Sequence, residues 1–276
     1  MNVGAVATLT QRELLDALRN KWFLVYSGAF VVLCFGLALM IVDSAGYSGI
    51  SGFGRTAAGL INLVLFLAPL MGLTLGAQAL SSGREQGTLA YLLAQPVSFL
   101  ELFVSKFIGL ATAIAGAIII GFSLSSLAIA YWSGSGGVEV FLKLLPLTLL
   151  LAWTTLAIGL VVSAQSDRTV TALGISVVVW LCLVLIGNLG LMGTSVVVGM
   201  SATTLLAFTL VNPLEAFRIA AIYEIRGSLE MLGPSGLVAR DRLGDSVTLV
   251  LVLVMIAWLI VGLTVAYLLA KRKELQ

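Results

Sequence analysis

The sequence predicts an all-α membrane protein with six transmembrane helices, arranged as one domain over residues 1–276. Of its 276 residues, 60% are hydrophobic and only 10% are charged, and the mean hydropathy is +1.11. A water-soluble domain of this length needs far more charge to cover its surface. The apolar residues form long continuous runs, whereas the strands of a barrel would alternate apolar and polar residues. Helices satisfy their own backbone hydrogen bonds in lipid, and we therefore predict helices.

Six apolar stretches are long enough to cross about 30 Å of hydrocarbon, which takes about 20 helical residues. They are Phe23–Val42, Ala57–Leu80, Phe107–Tyr131, Leu144–Ser163, Val170–Leu191 and Ser246–Ala270. A further stretch, Thr194–Val211, is diluted by Gly199 and by several Ser and Thr residues. We predict that this stretch is re-entrant or lies on the membrane surface.

Basic residues flank both ends of the chain. Arg12, Arg19 and Lys21 precede the first stretch, and Lys271 and Lys273 follow the last. The positive-inside rule places both groups in the cytoplasm, so the number of crossings is even. The first stretch is too long for a cleavable signal, and we expect it to remain as an anchor. The predicted location is the inner membrane of a bacterium or an archaeon, with both termini cytoplasmic.

Residues 1–22 are predicted to form an amphipathic helix on the cytoplasmic membrane surface. Thr10 and Glu13 have the spacing of a capping box at its start. An apolar side recurs every fourth residue, with Leu14, Leu18 and Trp22. Trp22 would then lie at the depth of the lipid headgroups. The alternative is a simple lead-in to the first span.

Residues 81–98, between the second and third stretches, are predicted to hold a short amphipathic helix on the cytoplasmic side. Ser82 can cap this helix, with Glu85 three residues later, and Pro96 ends it. One side carries a ridge of leucines, namely Leu89, Leu92 and Leu93. A helix with an exposed leucine ridge can dock into a groove on a partner protein. The alternative is a loop that only packs on the membrane surface.

Residues 192–245 are predicted to form an external segment before the last span. Asn212, Pro213 and Glu215 have the types expected at the N-cap, first and third positions of a helix. An apolar side follows, with Phe217, Ala220, Ala221 and Ile225. The predicted helix either contacts an external partner or caps the helical bundle.

Several kinds of chemistry are disfavoured by the composition. The chain has no His, and its two cysteines, Cys34 and Cys182, lie in apolar stretches, so it offers few soft ligands for copper. It has no P-loop motif to hold nucleotide phosphates. The six stretches contain no charged residue, which counts against a transporter driven by protons or sodium. A net charge of +2 gives no sign of a nucleic-acid partner.

The motif that begins at Arg84 and ends at Ser98 resembles that of the ABC-2 type permeases, the membrane subunits of ATP-binding-cassette exporters. The residues that carry this likeness are Arg84, Glu85, Gly87, Thr88, Leu89, Leu92, Leu93 and Pro96. The external segment is further similar to that of the permeases in nitrous-oxide reductase maturation transporters. This second likeness lies in Asn212, Pro213, Phe217 and Arg218, followed by Leu229, Leu232, Gly233 and Pro234.

The resemblance implies a homodimer of this chain in the lipid bilayer, bound to two copies of a separate cytoplasmic ABC ATPase. ATP and Mg would be bound by that ATPase, and this chain would be a non-catalytic permease without a cofactor of its own. Residues 81–98 would hold the coupling helix that enters the ATPase. The maturation transporters further imply a periplasmic copper-handling protein in contact with the external segment. Any copper would then be held by that partner.

Two other functions remain open at this point. One is an ABC-2 exporter of a lipid, a peptide or a drug through the centre of the dimer, which co-purification of a hydrophobic substrate would favour. The other is a structural membrane anchor, for which ATPase activity would not depend on this chain. A membrane-embedded enzyme is disfavoured because the sequence has no evident set of nucleophile, base and orienting group.

Overall fold

The computed structural model describes residues 3–45, 49–95, 97–133, 138–196, 212–226 and 247–274. Within these ranges the chain forms nine α-helices and no strand, so the predicted all-α fold is confirmed. The helices are α1 (Val3–Arg19), α2 (Lys21–Ala45), α3 (Gly49–Glu85), α4 (Thr88–Leu93), α5 (Phe99–Ser133), α6 (Val138–Gln165), α7 (Thr169–Val196), α8 (Pro213–Arg226) and α9 (Val247–Glu274).

Six of these helices are long and apolar enough to cross a membrane, and the predicted six spans are confirmed. The spans are Lys21–Met40, Ala58–Glu85, Phe99–Trp132, Glu139–Gln165, Thr169–Gly187 and Val247–Glu274. The doubtful seventh stretch begins within α7, which continues to Val196. The rest of that stretch, 197–211, and residues 227–246 of the external segment lie outside the described residues.

Two predicted helix starts are wrong. α1 already begins at Val3, so Thr10 lies within the helix, and Glu13 pairs with Lys106 of α5 instead of capping. Ser82 does not start a helix either, because α3 continues through it to Glu85. The Ser82 hydroxyl donates to the carbonyl one turn earlier, which occupies it within the helix.

α3 and α6 form the most closely packed pair of helices. A β-carbon added to Gly76 would lie 2.9 Å from the Cα atom of Gly159, so the two backbones are in direct contact. Gly72, one turn earlier on α3, is equally close to the backbone of α6 at Ala152 and Leu156. In a membrane, helices associate through van der Waals packing, and small residues permit this close approach.

The remaining helices pack around this pair: α8 and α9 form one group, α1, α2 and α5 form another, and α7 packs along α3. α9 packs on α6, where the hydroxyl of Thr154 donates to the carbonyl of Met255 at 3.2 Å, and α8 contacts both. On the other side, α1 and α2 pack along α5. Gly109 of α5 lies against the backbone of α1, and Gly121 lies under the ring of Phe30 of α2.

We expect Gly76→Ala to destabilise the α3–α6 pair and Gly116→Ala on α5 to have no such effect. A methyl group at Gly76 would meet the backbone of Gly159, whereas one at Gly116 meets no atom within 4 Å. Overpacking of this kind costs about 1–3 kcal/mol. Thermal unfolding of the detergent-purified chain measures the difference, and equal melting temperatures for the two variants would contradict the close contact at Gly76.

Candidate functional site

The link between α3 and α5 carries the residues that the sequence assigns to ATPase coupling. We call residues 84–95 the coupling segment. Arg84 contacts Glu274 at the end of α9, and Asn20, between α1 and α2, donates to Gln78 of α3 at 2.8 Å. The coupling segment, the end of α1 and the end of α9 therefore lie together. We call this side of the bundle the terminal end.

Arg84 links the ends of three helices. Its Nε atom lies 2.6 Å from Oε1 of Glu274, and its Nη1 atom donates to the carbonyls of Ser163 at 2.7 Å and Ser166 at 2.9 Å. The last carbonyls of a helix lack partners within it and carry partial negative charge, so a guanidinium beside them is stabilised. The Arg84 side chain is 11% exposed. It is directed towards α6 and α9, and its contact with an ATPase stays a prediction.

Two further charged residues, Glu85 and Lys273, connect helix ends at the terminal end. Oε2 of Glu85 accepts a hydrogen bond from the amide of Thr169, the first residue of α7, at 2.9 Å. Nζ of Lys273 lies 2.6 Å from Oδ1 of Asp167 and also donates to the carbonyl of Gln165. The hydrogen bond from Lys273 lowers the pKa of Asp167 below its ordinary value of 3.8. A carboxylate at the start of α7 and an ammonium at the end of α6 both complement the helix dipoles.

Gly87 makes the turn between α3 and α4. Its φ angle is +71°, a left-handed conformation that costs residues with a β-carbon about 1–2 kcal/mol. Beyond the turn, the hydroxyl of Thr88 donates to the carbonyl of Gly83 at 3.3 Å. The predicted coupling helix is therefore short, and it is separated from α3 by a glycine turn.

Two residues of the predicted leucine ridge are buried within the chain. Leu89 is 1% exposed and Leu92 is 8% exposed, because the six-residue α4 turns its apolar side towards the end of α3. Tyr91, at 69% exposure, is a large side chain that α4 presents to its surroundings. The prediction that Leu89 and Leu92 form an exposed ridge is wrong, while their part in coupling stays a prediction. The side chain of Leu93 and all of Pro96 lie outside the described residues.

A polar cavity of about 380 Å³ lies between α1 and the coupling segment. Thr88 of the coupling segment and Arg12 and Asp16 of α1 contribute to its wall. Beside it, Nζ of Lys106 lies 2.6 Å from Oε1 of Glu13, and both side chains are nearly buried. This ion pair fixes α1 to α5, so α1 is held next to the coupling segment.

At the opposite end of the bundle, α8 starts as the sequence predicts. Oδ1 of Asn212 accepts a hydrogen bond from the amide of Leu214 at 3.0 Å, and the helix begins at Pro213. The amide side chain of Asn212 also donates to the carbonyl of Leu183 on α7 at 2.7 Å. Phe217 is fully buried, and Ala220 and Ala221 of the predicted apolar side are fully buried with it.

α8 also carries a buried ion pair. Nη1 of Arg218 lies 2.8 Å from Oε1 of Glu215, and both side chains border a cavity of about 150 Å³ that Asn62 of α3 also lines. The Glu215 carboxylate lies directly against the backbone of Gly187 on α7. Burial raises the pKa of Glu215, and the charge of Arg218 offsets part of that increase.

The residues predicted to touch an external partner are used within the chain. Asn212 and Phe217 are buried, Pro213 is buried beside them, and the side chain of Arg218 is 15% exposed. They hold α8 against α6, α7 and α9. Contact between these four residues and an external partner stays a prediction.

Several residues at the terminal end were missed by sequence reasoning. Asn20 caps α2, because its Oδ1 accepts from the amides of Trp22 and Phe23. Asn just before an apolar run is a recognisable N-cap signal. No local sequence pattern predicts the contacts of Lys273 and Glu274, because their partners lie more than 100 positions earlier in the chain.

The fold and this arrangement define a multi-pass membrane protein. Its longest described helix, α3, carries Arg84 at the terminal end and Asn62 beside the cavity at the opposite end. The chain belongs to the ABC-2 transporter family, because residues 7–275 match the sequence profile described as ABC-2 family transporter protein. It is therefore an ABC transporter permease, a class that works with an ATPase partner and is normally not itself catalytic.

Two relatives carry the same name. The chain is 32% identical over 279 residues to the "Probable ABC transporter permease protein NosY" of Stutzerimonas stutzeri, an alignment that covers 98% of this chain and 99% of that protein. It is 31% identical over 220 residues to the protein of the same name from Pseudomonas aeruginosa, with 78% and 80% of the two chains covered.

We expect Glu215→Gln to change how stability depends on pH. Because its folded pKa is raised, Glu215 favours the folded state when protonated, and this contribution is lost as the pH rises through the raised value. The parent chain should therefore gain stability as the pH falls towards the ordinary value of 4.5, and Glu215→Gln should lose that part of the gain.

Thermal unfolding in detergent across this range makes the measurement. Asp167→Asn is the control. The lowered pKa of Asp167 keeps this carboxylate ionised above pH 4.5, so the stability of Asp167→Asn should depend on pH as that of the parent does. An identical pH response in Glu215→Gln and the parent would contradict the burial of the Glu215 carboxylate.

Proposed function

We propose that this chain couples ATP hydrolysis by a separate ATPase to a conformational change across the membrane. The observation that carries the proposal is the continuity of α3, which runs unbroken to Glu85. Arg84 lies in the coupling segment, and Asn62 borders the cavity beside α8. At 1.5 Å per residue, these positions are roughly 30 Å apart, which is about the thickness of the hydrocarbon core.

In this mechanism, the chain forms a homodimer that binds two copies of a cytoplasmic ABC ATPase. We place the terminal end in the cytoplasm. The basic residues of α1, such as Arg12 and Arg19, and those in the last turn of α9, such as Lys271 and Lys273, support this orientation under the positive-inside rule. ATP and Mg bind to the ATPase, and its closure displaces the coupling segment. Arg84 and Glu85 pass this displacement to α6, α7 and α9 through the contacts at the terminal end.

We further propose that the transporter serves copper delivery in nitrous-oxide reductase maturation. The likeness of the Asn212–Arg218 motif to the permeases of that system supports this, as do the two relatives named NosY. The chain itself has no His, so we assign the copper to a periplasmic partner at the α8 end. The role of α8 is then to move that partner or to change its binding surface.

Purification and complementation together test this function. The chain, extracted in mild detergent, should co-purify with an ABC ATPase and stimulate its ATP hydrolysis. In a bacterium that lacks its own NosY, it should restore the copper content of nitrous-oxide reductase. Co-purification with an ATPase and a hydrophobic substrate, without restored copper loading, would instead favour the lipid, peptide or drug exporter. ATPase activity that does not depend on the chain would favour the structural anchor.

We expect Tyr91→Ala to weaken association with the ATPase by about tenfold or more, because exposed aromatic side chains are frequent anchors of interfaces. Tyr91 is 69% exposed on α4, whereas Tyr131, the control, is 83% exposed at the opposite end of the bundle. Tyr131→Ala should bind as the parent does. Pull-down of the ATPase at graded concentrations measures the effect, and equal binding by both variants would argue against α4 as the contact.

A further inference from the structure

We propose that Lys273 and Glu274, at the end of α9, are positioning residues that fix the coupling segment. This inference rests on the proposed ATPase coupling and names the part of the chain that controls it. We call Arg84, Asp167, Lys273 and Glu274 the terminal latch. Its members come from the end of α3, the link between α6 and α7, and the end of α9.

The pair formed by Arg84 and Glu274 is short and mostly buried. Its N–O distance is 2.6 Å, and the two side chains are 11% and 19% exposed. By contrast, Arg12 and Asp16 on α1 are 3.8 Å apart and about half exposed, a kind of pair that contributes little. Removal of one partner from a buried pair leaves an uncompensated charge, so the geometry of Arg84 depends on Glu274.

Lys273 makes a second connection in a different direction. Neighbouring residues on a helix point about 100° apart, so adjacent side chains can reach different elements. Glu274 contacts the end of α3, while Lys273 contacts Asp167 and the carbonyl of Gln165. The end of α9 therefore holds both the coupling segment and the start of α7 in place.

α9 also reaches the opposite end of the bundle, where it packs against α8. Its first residue, Val247, is fully buried there. A displacement of the coupling segment is thus passed through the latch to a helix that contacts α8 directly. Arg84 acts inside this chain, as a residue that positions the coupling segment through its contacts with α6 and α9.

The test uses the chain assembled with its ATPase in lipid nanodiscs and compares Arg84→Gln, Glu274→Gln and the double variant. We expect Glu274→Gln to lower the kcat of stimulated ATP hydrolysis about tenfold, with unchanged KM for ATP and unchanged ATPase binding. The double variant should be no worse than Arg84→Gln alone, because both changes break one interaction. Glu274→Asp, which keeps the carboxylate, should recover part of the activity.

Glu139→Gln is the matched control, since it breaks an exposed ion pair with Lys143 on α6. Full activity in both Glu274→Gln and Glu139→Gln would overturn the latch. A double variant in which the kcat losses of Arg84→Gln and Glu274→Gln multiply would overturn it as well. If Glu274→Gln fails to assemble, Lys273→Gln, Asp167→Asn and their double variant test the second connection of the latch in the same way. A parent chain that stimulates no ATPase would overturn the proposed function itself, whereas stimulation that ignores Glu274 overturns the latch alone.

Discussion

The close approach of α3 and α6 determines where the other parts of the molecule can lie. With glycine at positions 76 and 159, the two backbones touch, and no side chain separates them. The same contact continues to the terminal end, where the hydroxyl of Ser163 accepts from the amides of Leu80 and Ser81, each at 2.9 Å. This register places the last carbonyls of α6 within reach of Arg84. Helix association in lipid depends on such packing, and the contacts of Arg84 with the end of α6 are a consequence of it.

Charged groups are concentrated where the helices end. The spans are apolar because a charge within the bilayer is costly, so opposite charges are brought together at the two ends of the bundle. Lys106 with Glu13 fixes α1, Arg84 with Glu274 fixes the coupling segment, and the third buried pair lies on α8. A buried ion pair adds little net stability against apolar packing, but loss of one partner is costly because it leaves an uncompensated charge.

The sequence predicts most of the fold and only part of the site, for a physical reason. Spans and helix starts depend on local patterns, so the six helices and the N-cap at Asn212 could be predicted from nearby residues. Thr10 and Ser82 misled the prediction because a cap motif also occurs inside longer helices, and the hydroxyl of Ser82 there bonds to the preceding turn. The contacts of Arg84 with α6 and α9 join distant residues, and no local pattern contains them. Leu89 and Leu92 have the right spacing for a ridge, but spacing does not say which neighbour buries it.

The burial of α8 bears on how a signal could leave the protein. Asn212 and Phe217 hold α8 in the bundle, so these side chains are not free to bind an external protein while α8 stays in place. A partner would therefore respond to the position of α8 rather than to a fixed patch of its apolar residues. Because α8 contacts α3, α6, α7 and α9 at once, any movement of α8 changes its contacts with all four helices. α3, α6, α7 and α9 also meet at the terminal end, so the same four helices connect the two ends of the bundle.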